Sequence, residues 1–504
     1  MVRQLGRWSE QWGPWPGRFL GGMALLLIGV AAGLASVRYG LATPLGLLAG
    51  LALALGATFE PWAGLLCAIG IAILLPFGVL PVRLGFTPSF LELTLLGFLA
   101  GWLLPPLLRG ERRYRFSVLD ALAWAFIALT LFALLLGWGR GVDTTVLHNY
   151  GKLLLGLLAF FGIRQVANDG RRVRRLMAVL LVAAGLAALL GLVLYALPDP
   201  TALKLLTRLE VVGYPAGGRV LRYVEDDPGG LERAIGTGVD PNSFGGMLAL
   251  AAAIALGEVL AAWRPANPEE RPALPLPVLL LILALLLAGV YLSYSRAALG
   301  GFVVACLFLA VARYRRLWWG ILGGVVLLAV LMAGLGWSSP AVERFRQGIL
   351  FQDRANRMRL AEFSNAIAIV HHYPVFGVGF GSAPDVDLST GVSSLYLTIA
   401  ERMGLVGLAA FLAFVGAAVV RGLALAAPRY PVPFSPRFPL PEGRGDKVTG
   451  EQGEGHRLAL LAGAVAALAV GLLDHYFFNP EFPHMAMLLW AVLGIAARPW
   501  STQS

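Results

Sequence analysis

Residues 275–312 read PLPVLLLILALLLAGVYLSYSRAALGGFVVACLFLAVA, an apolar run in which Arg296 is the single charged side chain. A helix needs about 20 apolar residues to cross the hydrocarbon core of a bilayer. The run therefore predicts two spans joined by a tight turn near Leu292–Arg296. An arginine at the bilayer centre costs several kcal/mol, so charges within such runs are functional candidates. We expect Arg296 to lie at the turn between the two spans.

The whole chain has the composition of an integral membrane protein. Its 504 residues are 58% hydrophobic and 14% charged, with a mean hydropathy of +0.73. A soluble domain carries about 25% charged residues. The formal net charge of +11 is interpreted as topology and not as nucleic-acid binding, because Lys and Arg gather in cytoplasmic loops. Cys67 and Cys306 both lie in apolar runs and predict neither a disulfide framework nor a metal site.

Fourteen apolar segments are candidate spans, and three are so short that 12 or 13 crossings are also compatible with the sequence. The fold class is therefore predicted as an all-α polytopic membrane protein with about 12–14 transmembrane helices. The first apolar run follows a basic N-terminus and is interpreted as a retained span, not a cleaved signal peptide. The candidate spans are 19–38, 43–58, 62–80, 89–108, 119–138, 149–166, 176–197, 243–262, 274–294, 297–313, 317–337, 395–420, 458–477 and 484–497.

Basic residues orient these spans. With the N-terminus inside, almost every arginine-rich loop falls on the cytoplasmic side, as the positive-inside rule requires, and both termini are predicted to be cytoplasmic. Two long segments and the Arg296 turn then fall outside. The predicted division is 1–197 (N-terminal transmembrane bundle), 198–242 (external loop), 243–337 (spans around Arg296), 338–394 (external basic helix and Gly-rich turn), 395–420 (span), 421–457 (cytoplasmic linker) and 458–504 (C-terminal spans).

The second external segment is strongly basic. Apolar residues from Met358 to Val370 recur at helical spacing, which predicts a helix along the membrane surface. Long external loops escape the positive-inside rule, so its arginines indicate an anionic ligand. Lipid headgroups and a phosphate or pyrophosphate substrate both satisfy this pattern, since guanidinium groups bind phosphate oxygens bidentately. The arginines are Arg344, Arg346, Arg354, Arg357 and Arg359.

Other polar positions leave alternatives open. Gly377, Gly379 and Gly381 predict a tight re-entrant turn, because no strand precedes them as in a nucleotide-binding motif. Asp240 to Ser243 is a helix-start sequence, so capping and ligand binding are both compatible with it. Ser293 and Ser295 have no evident base nearby and are expected to bond the helix backbone or to orient Arg296.

Four stretches carry a family resemblance in their order. They are DPNSFGGMLAL (240–250), LSYSRAALGG (292–301), RLAEFSNAIAIVHHYPVFGVGFG (359–381) and SSLYLTIAERMGLVGL (393–408). Together they resemble the O-antigen ligases and O-antigen polymerases, which are polytopic glycosyltransferases. The resemblance covers roughly 235–410, with Phe363 at the position where the family usually has Trp.

The resemblance implies a fold of the GT-C type and a reaction. An undecaprenyl-pyrophosphate-linked glycan is the donor at the external leaflet of the inner (cytoplasmic) membrane, and a hydroxyl of the glycan acceptor attacks the anomeric carbon. It implies no cofactor, no metal, no nucleotide and no nucleic-acid partner; membrane lipid surrounds the site. Arg296 and Arg359 are the expected catalytic residues, because fixed guanidinium groups stabilise charge that develops on the leaving pyrophosphate. The expected substrate-binding residues are Asn242, Arg354, Arg357, Ser393, Ser394 and Tyr396.

One departure bears on the acceptor. Ligases of the family usually carry His-Asn shortly before the Tyr-Leu pair, where this chain has Ser393 and Ser394. The departure favours a polymerase that extends the glycan. Candidate replacements for the missing base are His372, Asp387 and Glu401.

Two alternatives remain. A ligase would deliver the glycan to a lipid or protein acceptor instead of lengthening it. A transporter or flippase of lipid-linked anions would have broken helices and charges near the middle of the membrane. The polar residues of this chain gather at one predicted face, which disfavours transport.

Overall fold

A computed structural model describes residues 42–81, 86–110, 116–215, 220–224, 227–263, 271–335, 354–381, 392–426 and 453–500. These residues form fifteen α-helices and a hairpin of two very short strands. The helices are α1 (Ala42–Phe59), α2 (Pro61–Leu74), α3 (Phe90–Arg109), α4 (Val118–Leu136), α5 (Thr144–Val166), α6 (Gly170–Ala196), α7 (Asp199–Thr207), α8 (Pro241–Trp263), α9 (Leu276–Leu292), α10 (Arg296–Ala312), α11 (Leu317–Leu335), α12 (Arg354–His372), α13 (Leu395–Ala426), α14 (Glu454–Val470) and α15 (Pro483–Ala496). The strands are β1 (Arg222–Tyr223) and β2 (Glu232–Arg233), and two 3-10 helices span Arg208–Val212 and Tyr476–Phe478.

The prediction of an all-α polytopic membrane protein is confirmed. Six helices, α3, α4, α5, α6, α8 and α13, are long and apolar enough to cross a membrane. Helices α1, α2, α9, α10 and α15 and the first part of α11 are shorter and also apolar. The expected first span, 19–38, lies outside the described residues, so the total of 12–14 crossings stays a prediction.

Polar side chains define where several apolar helices begin. Ser89 and Ser117 form capping boxes with Glu92 and Asp120 at the starts of α3 and α4. Asp143, Asp169 and Ser295 cap α5, α6 and α10 in the same way, each accepting a hydrogen bond from a backbone amide of the first turn. Such caps satisfy amides that have no partner within the helix.

Helices α8, α14 and α15 form the centre of the bundle. In α8, 89% of the most apolar 18-residue window is buried. Small residues let it approach α14 closely, as is common between membrane helices. A Cβ added to Gly257 of α8 would lie 2.5 Å from the Cα of Ala459 in α14.

Polar contacts between helix ends define two opposite ends of the bundle. At one end, here called the basic end, Arg313 pairs with Glu454 at 2.8 Å and His456 contacts Glu258 at 2.6 Å. Arg421 donates there to the carbonyl of Ala497. The opposite end, here called the site end, carries residues 75–81 and 86–89 and the turns 137–143, 293–295 and 471–482. Which end faces which side of the membrane remains a prediction.

The expected external loop, 198–242, is largely structured. Helix α7 and the 3-10 helix Arg208–Val212 follow α6. In the antiparallel hairpin the backbone of Arg222 on β1 lies opposite that of Arg233 on β2. A small apolar cluster that includes Leu194, Leu206 and Ile235 fastens the segment to the end of α6. The hairpin therefore has a fixed position at the site end.

A buried ion pair between α4 and α5 gives a test of the bundle. Asp120 is 1% and Arg164 7% exposed, and their side chains are hydrogen-bonded. We expect Asp120→Asn to lower the free energy of unfolding by about 3 kcal/mol, because the buried Arg164 loses its counter-charge. Ser117→Ala, which removes the cap and one hydrogen bond to Asp120 but leaves the ion pair, should cost about 1 kcal/mol. Thermal or denaturant unfolding in detergent measures both, and equal losses would contradict the role given to the ion pair.

Candidate functional site

The turn between α14 and α15 supplies a buried carboxylate at the site end. The side chain of Asp474 is 3% exposed, and its Oδ2 lies 3.9 Å from Nη2 of Arg359 on α12. Among the described residues this oxygen has no hydrogen-bond partner. Burial raises the pKa of Asp474 to about 7; Asp240 also raises it, whereas Arg359 and Arg233 lower it. A buried acid and two arginines thus meet where several segments converge.

Arg233 ties the hairpin to two helix starts. Its Nε donates to the carbonyl of Ser293 at 2.8 Å, and its Nη2 donates to Oδ1 of Asn242 at 2.6 Å. The amide of Ala234 adds a 2.9 Å bond to the carbonyl of Leu292. One guanidinium therefore holds the start of α8 against the α9–α10 turn.

Asp240 begins α8 and also belongs to the charge cluster. Its Oδ1 accepts from the amides of Asn242 and Ser243 at 2.8 and 2.9 Å, which confirms the helix start predicted at this sequence. The hydroxyl of Tyr476 also donates to Asp240, and burial raises the pKa of that tyrosine strongly. Capping explains why an acid stands here, and the contact with Tyr476 links the cap to the 471–482 turn.

His475 lies beside the cluster and lines a cavity at the site end. This cavity, of about 260 Å³, is also lined by Asn149, Thr398, Arg402 and Glu481. Its Nδ1 is buried and has no hydrogen-bond partner among the residues that the structure describes. Burial lowers the pKa of His475, whereas Asp240 and Glu362 raise it and Arg359 lowers it. The imidazole is therefore neutral at pH 7 and can accept a proton from a group in the cavity.

Three of the residues predicted from the sequence reach this cluster. Arg359 contacts Asp474 directly, and Asn242 joins through Arg233. The amide of Ser393 donates to Oε2 of Glu362 at 3.0 Å, one helical turn from Arg359 on α12.

Arg296 lies at the predicted turn. It is the first residue of α10, directly after the cap Ser295, and its side chain is exposed. Ser293, three residues earlier, donates its hydroxyl to the carbonyl of Val290 and offers its own carbonyl to Arg233. The serines bond the helix backbone as expected, and the turn that carries Arg296 is held to the cluster by Arg233.

Ser394 and Tyr396 have structural contacts. The Ser394 hydroxyl donates to the carbonyl of Gly471 at 3.4 Å, and the Tyr396 hydroxyl donates to the carbonyl of Leu468 at 3.0 Å. The amide of Leu395 donates to the carbonyls of Gly471 and Asp474. These bonds dock the start of α13 onto the end of α14, which accounts for both side chains without a ligand.

The remaining predicted residues lie away from the cluster or outside the described part. His372 is exposed at the C-terminal end of α12. It lies thirteen residues after Arg359, which is about 20 Å along the helix axis. Arg357 is exposed on the first turn of that helix. Asp387 lies outside the described residues, as does the side chain of Arg354.

Glu401 belongs to a packed kink in α13. The amide of Val378 donates to the carbonyl of Glu401, and the Arg402 guanidinium donates to the carbonyls of Gly379 and Gly381. The carboxylate of Glu401 is 3.6 Å from the same guanidinium. The Gly-rich run is thus the predicted re-entrant turn, and it aligns Arg402 with the cavity that His475 lines.

The sequence prediction missed Arg233, Asp474 and His475 as site residues, and it identified Arg402, with Glu401, only as a charge within an apolar span. The available signal was the polar turn DHYFFNPEFPH (474–484) between two apolar spans. Among the described residues, His, Cys, Asp and Glu form no group of three or more that could hold a metal ion.

Comparison with known proteins gives one match. Residues 280–412 match a protein family described as O-antigen ligase. The matched segment contains Arg296, Arg359 and Ser393, whereas Arg233 precedes it and His475 follows it. The resemblance seen in the sequence is confirmed over this segment, which starts later than the expected 235. No curated protein matches the chain.

Close packing of the re-entrant turn can be tested with a matched pair of glycines. Gly379 and Gly139 have φ of 82° and 80°. A Cβ at Gly379 would lie 2.4 Å from the carbonyl oxygen of Ala133, whereas one at Gly139 meets nothing within 4 Å. Gly139→Ala should lower the free energy of unfolding by about 1 kcal/mol through backbone strain alone. Gly379→Ala should lower it by clearly more, because the added Cβ also meets the Ala133 carbonyl oxygen. Unfolding in detergent measures the difference, and equal costs would show that the contact does not matter.

Proposed function

We propose, on the premise that residues 280–412 form an O-antigen ligase family domain, that this chain is a membrane glycosyltransferase of the polymerase type. Its donor is an undecaprenyl-pyrophosphate-linked oligosaccharide at the external leaflet of the inner membrane. The observation that carries the proposal is the convergence of Arg359, Arg233 and His475 at the site end, beside the turn of Arg296. Two guanidinium groups and a neutral imidazole are the groups that such a transfer requires.

The arginines act on the leaving group. A departing lipid pyrophosphate gains negative charge in the transition state, so cations fixed near it lower the barrier. Arg296 is exposed at the first turn of α10, where the helix terminus adds positive potential. Arg359 is held in place by Asp474. We assign these two side chains to the pyrophosphate, as proposed from the sequence, and Arg233 to positioning the Arg296 turn.

His475 is the proposed general base. An acceptor hydroxyl attacks the anomeric carbon, and its proton passes to the imidazole of His475. The bond from the anomeric carbon to the pyrophosphate oxygen breaks, and its electron pair leaves with that oxygen. Nothing in this step requires a metal ion. We assign the role to His475 in place of His372, Asp387 and Glu401 because its imidazole lines the cavity beside the cluster.

The same histidine supports ligation as the second candidate. Family ligases carry a histidine near the position of Ser393, and this chain has none there. The carbonyl of Asp474, next to His475, bonds the amide of Leu395. An imidazole is thus supplied beside Ser393 from another segment, so the two serines alone do not argue against a lipid or protein acceptor.

A single reconstitution separates the candidates. The purified protein is incubated with lipid-pyrophosphate-linked repeat units, and the product is sized. Chains of several repeats indicate a polymerase, and one transfer to an added lipid or protein acceptor indicates a ligase. Movement of the labelled lipid across liposomes without chain growth would instead support the transporter.

Arginine substitutions test the pyrophosphate contacts. Arg296→Ala and Arg359→Ala should each reduce transfer about a hundred-fold while the protein still accumulates in the membrane. Arg359→Lys should also be impaired, because lysine lacks the planar fork. Arg171→Ala, an exposed arginine at the basic end, is the matched control and should transfer normally. Normal polymer from both alanine variants at the site end would remove these residues from the mechanism.

The pH profile tests the base. His475 must be neutral to accept a proton, and its pKa lies below the usual 6.5, so the transfer rate should rise with pH below 6.5 and be level at pH 7. Asp240→Asn keeps an oxygen for the α8 cap but removes a negative charge, so the rise should move to lower pH. His475→Gln should abolish most activity at every pH. A wild-type rise centred near 7 would identify Asp474 as the base instead.

A further inference from the structure

A second polar group lies on the N-terminal bundle, outside the segment that matches the family. His148, Asn149 and Lys152 occur within the first three turns of α5, a helix that is otherwise apolar enough to span the membrane. A lysine in such a helix is costly, and intramembrane charges commonly mark substrate sites. Nothing in the donor mechanism uses these side chains.

Local contacts explain only part of the group. Oε2 of Glu92 accepts from the amide of Ser89 at 2.6 Å in a helix cap, and Oε1 contacts Nε2 of His148 at 2.8 Å. The Lys152 ammonium donates to Oδ1 of Asn149 at 3.5 Å. Glu92 and His148 fix each other, but one long bond leaves most of the hydrogen-bonding capacity of Lys152 available, since an ammonium has three donors.

Two cavities meet at these side chains. One of about 630 Å³ is lined by His148, Asn149, Lys152 and Thr145. The next, of about 330 Å³, shares Asn149 and Lys152 and adds Glu92 and Glu481. Both volumes lie within the range of about 300–1,000 Å³ that ligand sites occupy.

The series leads to the catalytic cluster. Asn149 and Glu481 line both the 330 Å³ cavity and the 260 Å³ cavity of His475. A chain-like ligand seated against Lys152 could therefore extend past Asn149 to the proposed base. The Arg359–Asp474 pair, on α12 and the 471–482 turn, does not line any of these three cavities.

We propose that these cavities on the N-terminal bundle bind the acceptor, a hydroxyl-rich saccharide chain, and direct one of its hydroxyls to His475. This inference rests on the proposed glycan transfer and assigns its second substrate. The cavity walls carry both hydrogen-bond donors and hydrogen-bond acceptors. Lys152, Asn149 and Glu92 line the same cavity and can contact one ligand. Sugar hydroxyls both donate and accept, so they match such a wall better than a lipid tail or a polyanion.

Steady-state kinetics test the assignment. The full-length protein is given lipid-pyrophosphate-linked repeat unit at saturation, and the same oligosaccharide free of its lipid is titrated as acceptor. Lys152→Met should raise the acceptor KM about ten-fold, the value of one hydrogen bond to a charged group. The donor KM and kcat at saturating acceptor should stay near wild type. Lys204→Met, an exposed lysine on α7, is the matched control.

A second substitution keeps the test decisive if Lys152→Met does not fold. Thr145→Val at the exposed rim of the larger cavity should raise the acceptor KM a few-fold without affecting stability. An unchanged acceptor KM in a folded variant, or a change confined to the donor KM, overturns the acceptor site. Absence of any transfer by the wild-type protein overturns the proposed function itself, so the two failures are distinguishable.

Discussion

The buried carboxyl group of Asp474 organises the site end of this protein. A carboxylate out of contact with water is costly unless cations and hydrogen bonds compensate it. Here Arg359 compensates it from α12 and Arg233 from the hairpin, while Asp240 adds a second negative charge at the start of α8. Three parts of the chain that are distant in sequence, residues 233–240, α12 and the 471–482 turn, must therefore meet at one place for the chain to bury this acid. The same requirement places the Arg296 turn and His475 close to the cluster, because Arg233 bonds the carbonyl of Ser293 and His475 follows Asp474 in the chain.

Helix packing determines where those segments can meet. Helix α8 is almost wholly buried and crosses α14 at the distance that glycine and alanine allow. That contact fixes the start of α8, with Asp240 and Asn242, relative to the end of α14, with Asp474 and His475. At the basic end, buried pairs such as His456 with Glu258 hold the opposite termini of the same two helices. The geometry of the charges thus follows from an apolar interface with polar contacts at both ends.

Local patterns in the sequence predicted what local physics decides. Hydropathy located the spans, because each span must be apolar over its own length. The residue type of Asp240 predicted a helix start, and the glycines of Gly377–Gly381 predicted a turn. Arg233 escaped prediction because a two-residue strand has no periodicity and its partners are 9 and 60 residues away. His372 is close to Arg359 in sequence but not in space, because thirteen residues of the same helix separate the two side chains. The contacts of Asp474 and His475 depend on tertiary packing, and no pattern within their own turn specifies them.

The distribution of these groups along the chain has a consequence for substrate choice. The segment that matches the family, 280–412, contains Arg296 and Arg359, the residues that we propose to contact the pyrophosphate of the donor. The proposed base lies after that segment, and the cavities lined by Lys152 and Asn149 lie before it. Glu481 and Asn149 together line two of the cavities at the boundary between these parts. If the donor is bound by one part and the acceptor by another, the N-terminal bundle can change acceptor without disturbing the arginines. Polymerase and ligase activities then differ in the walls around α5 and not in the segment by which the family is identified.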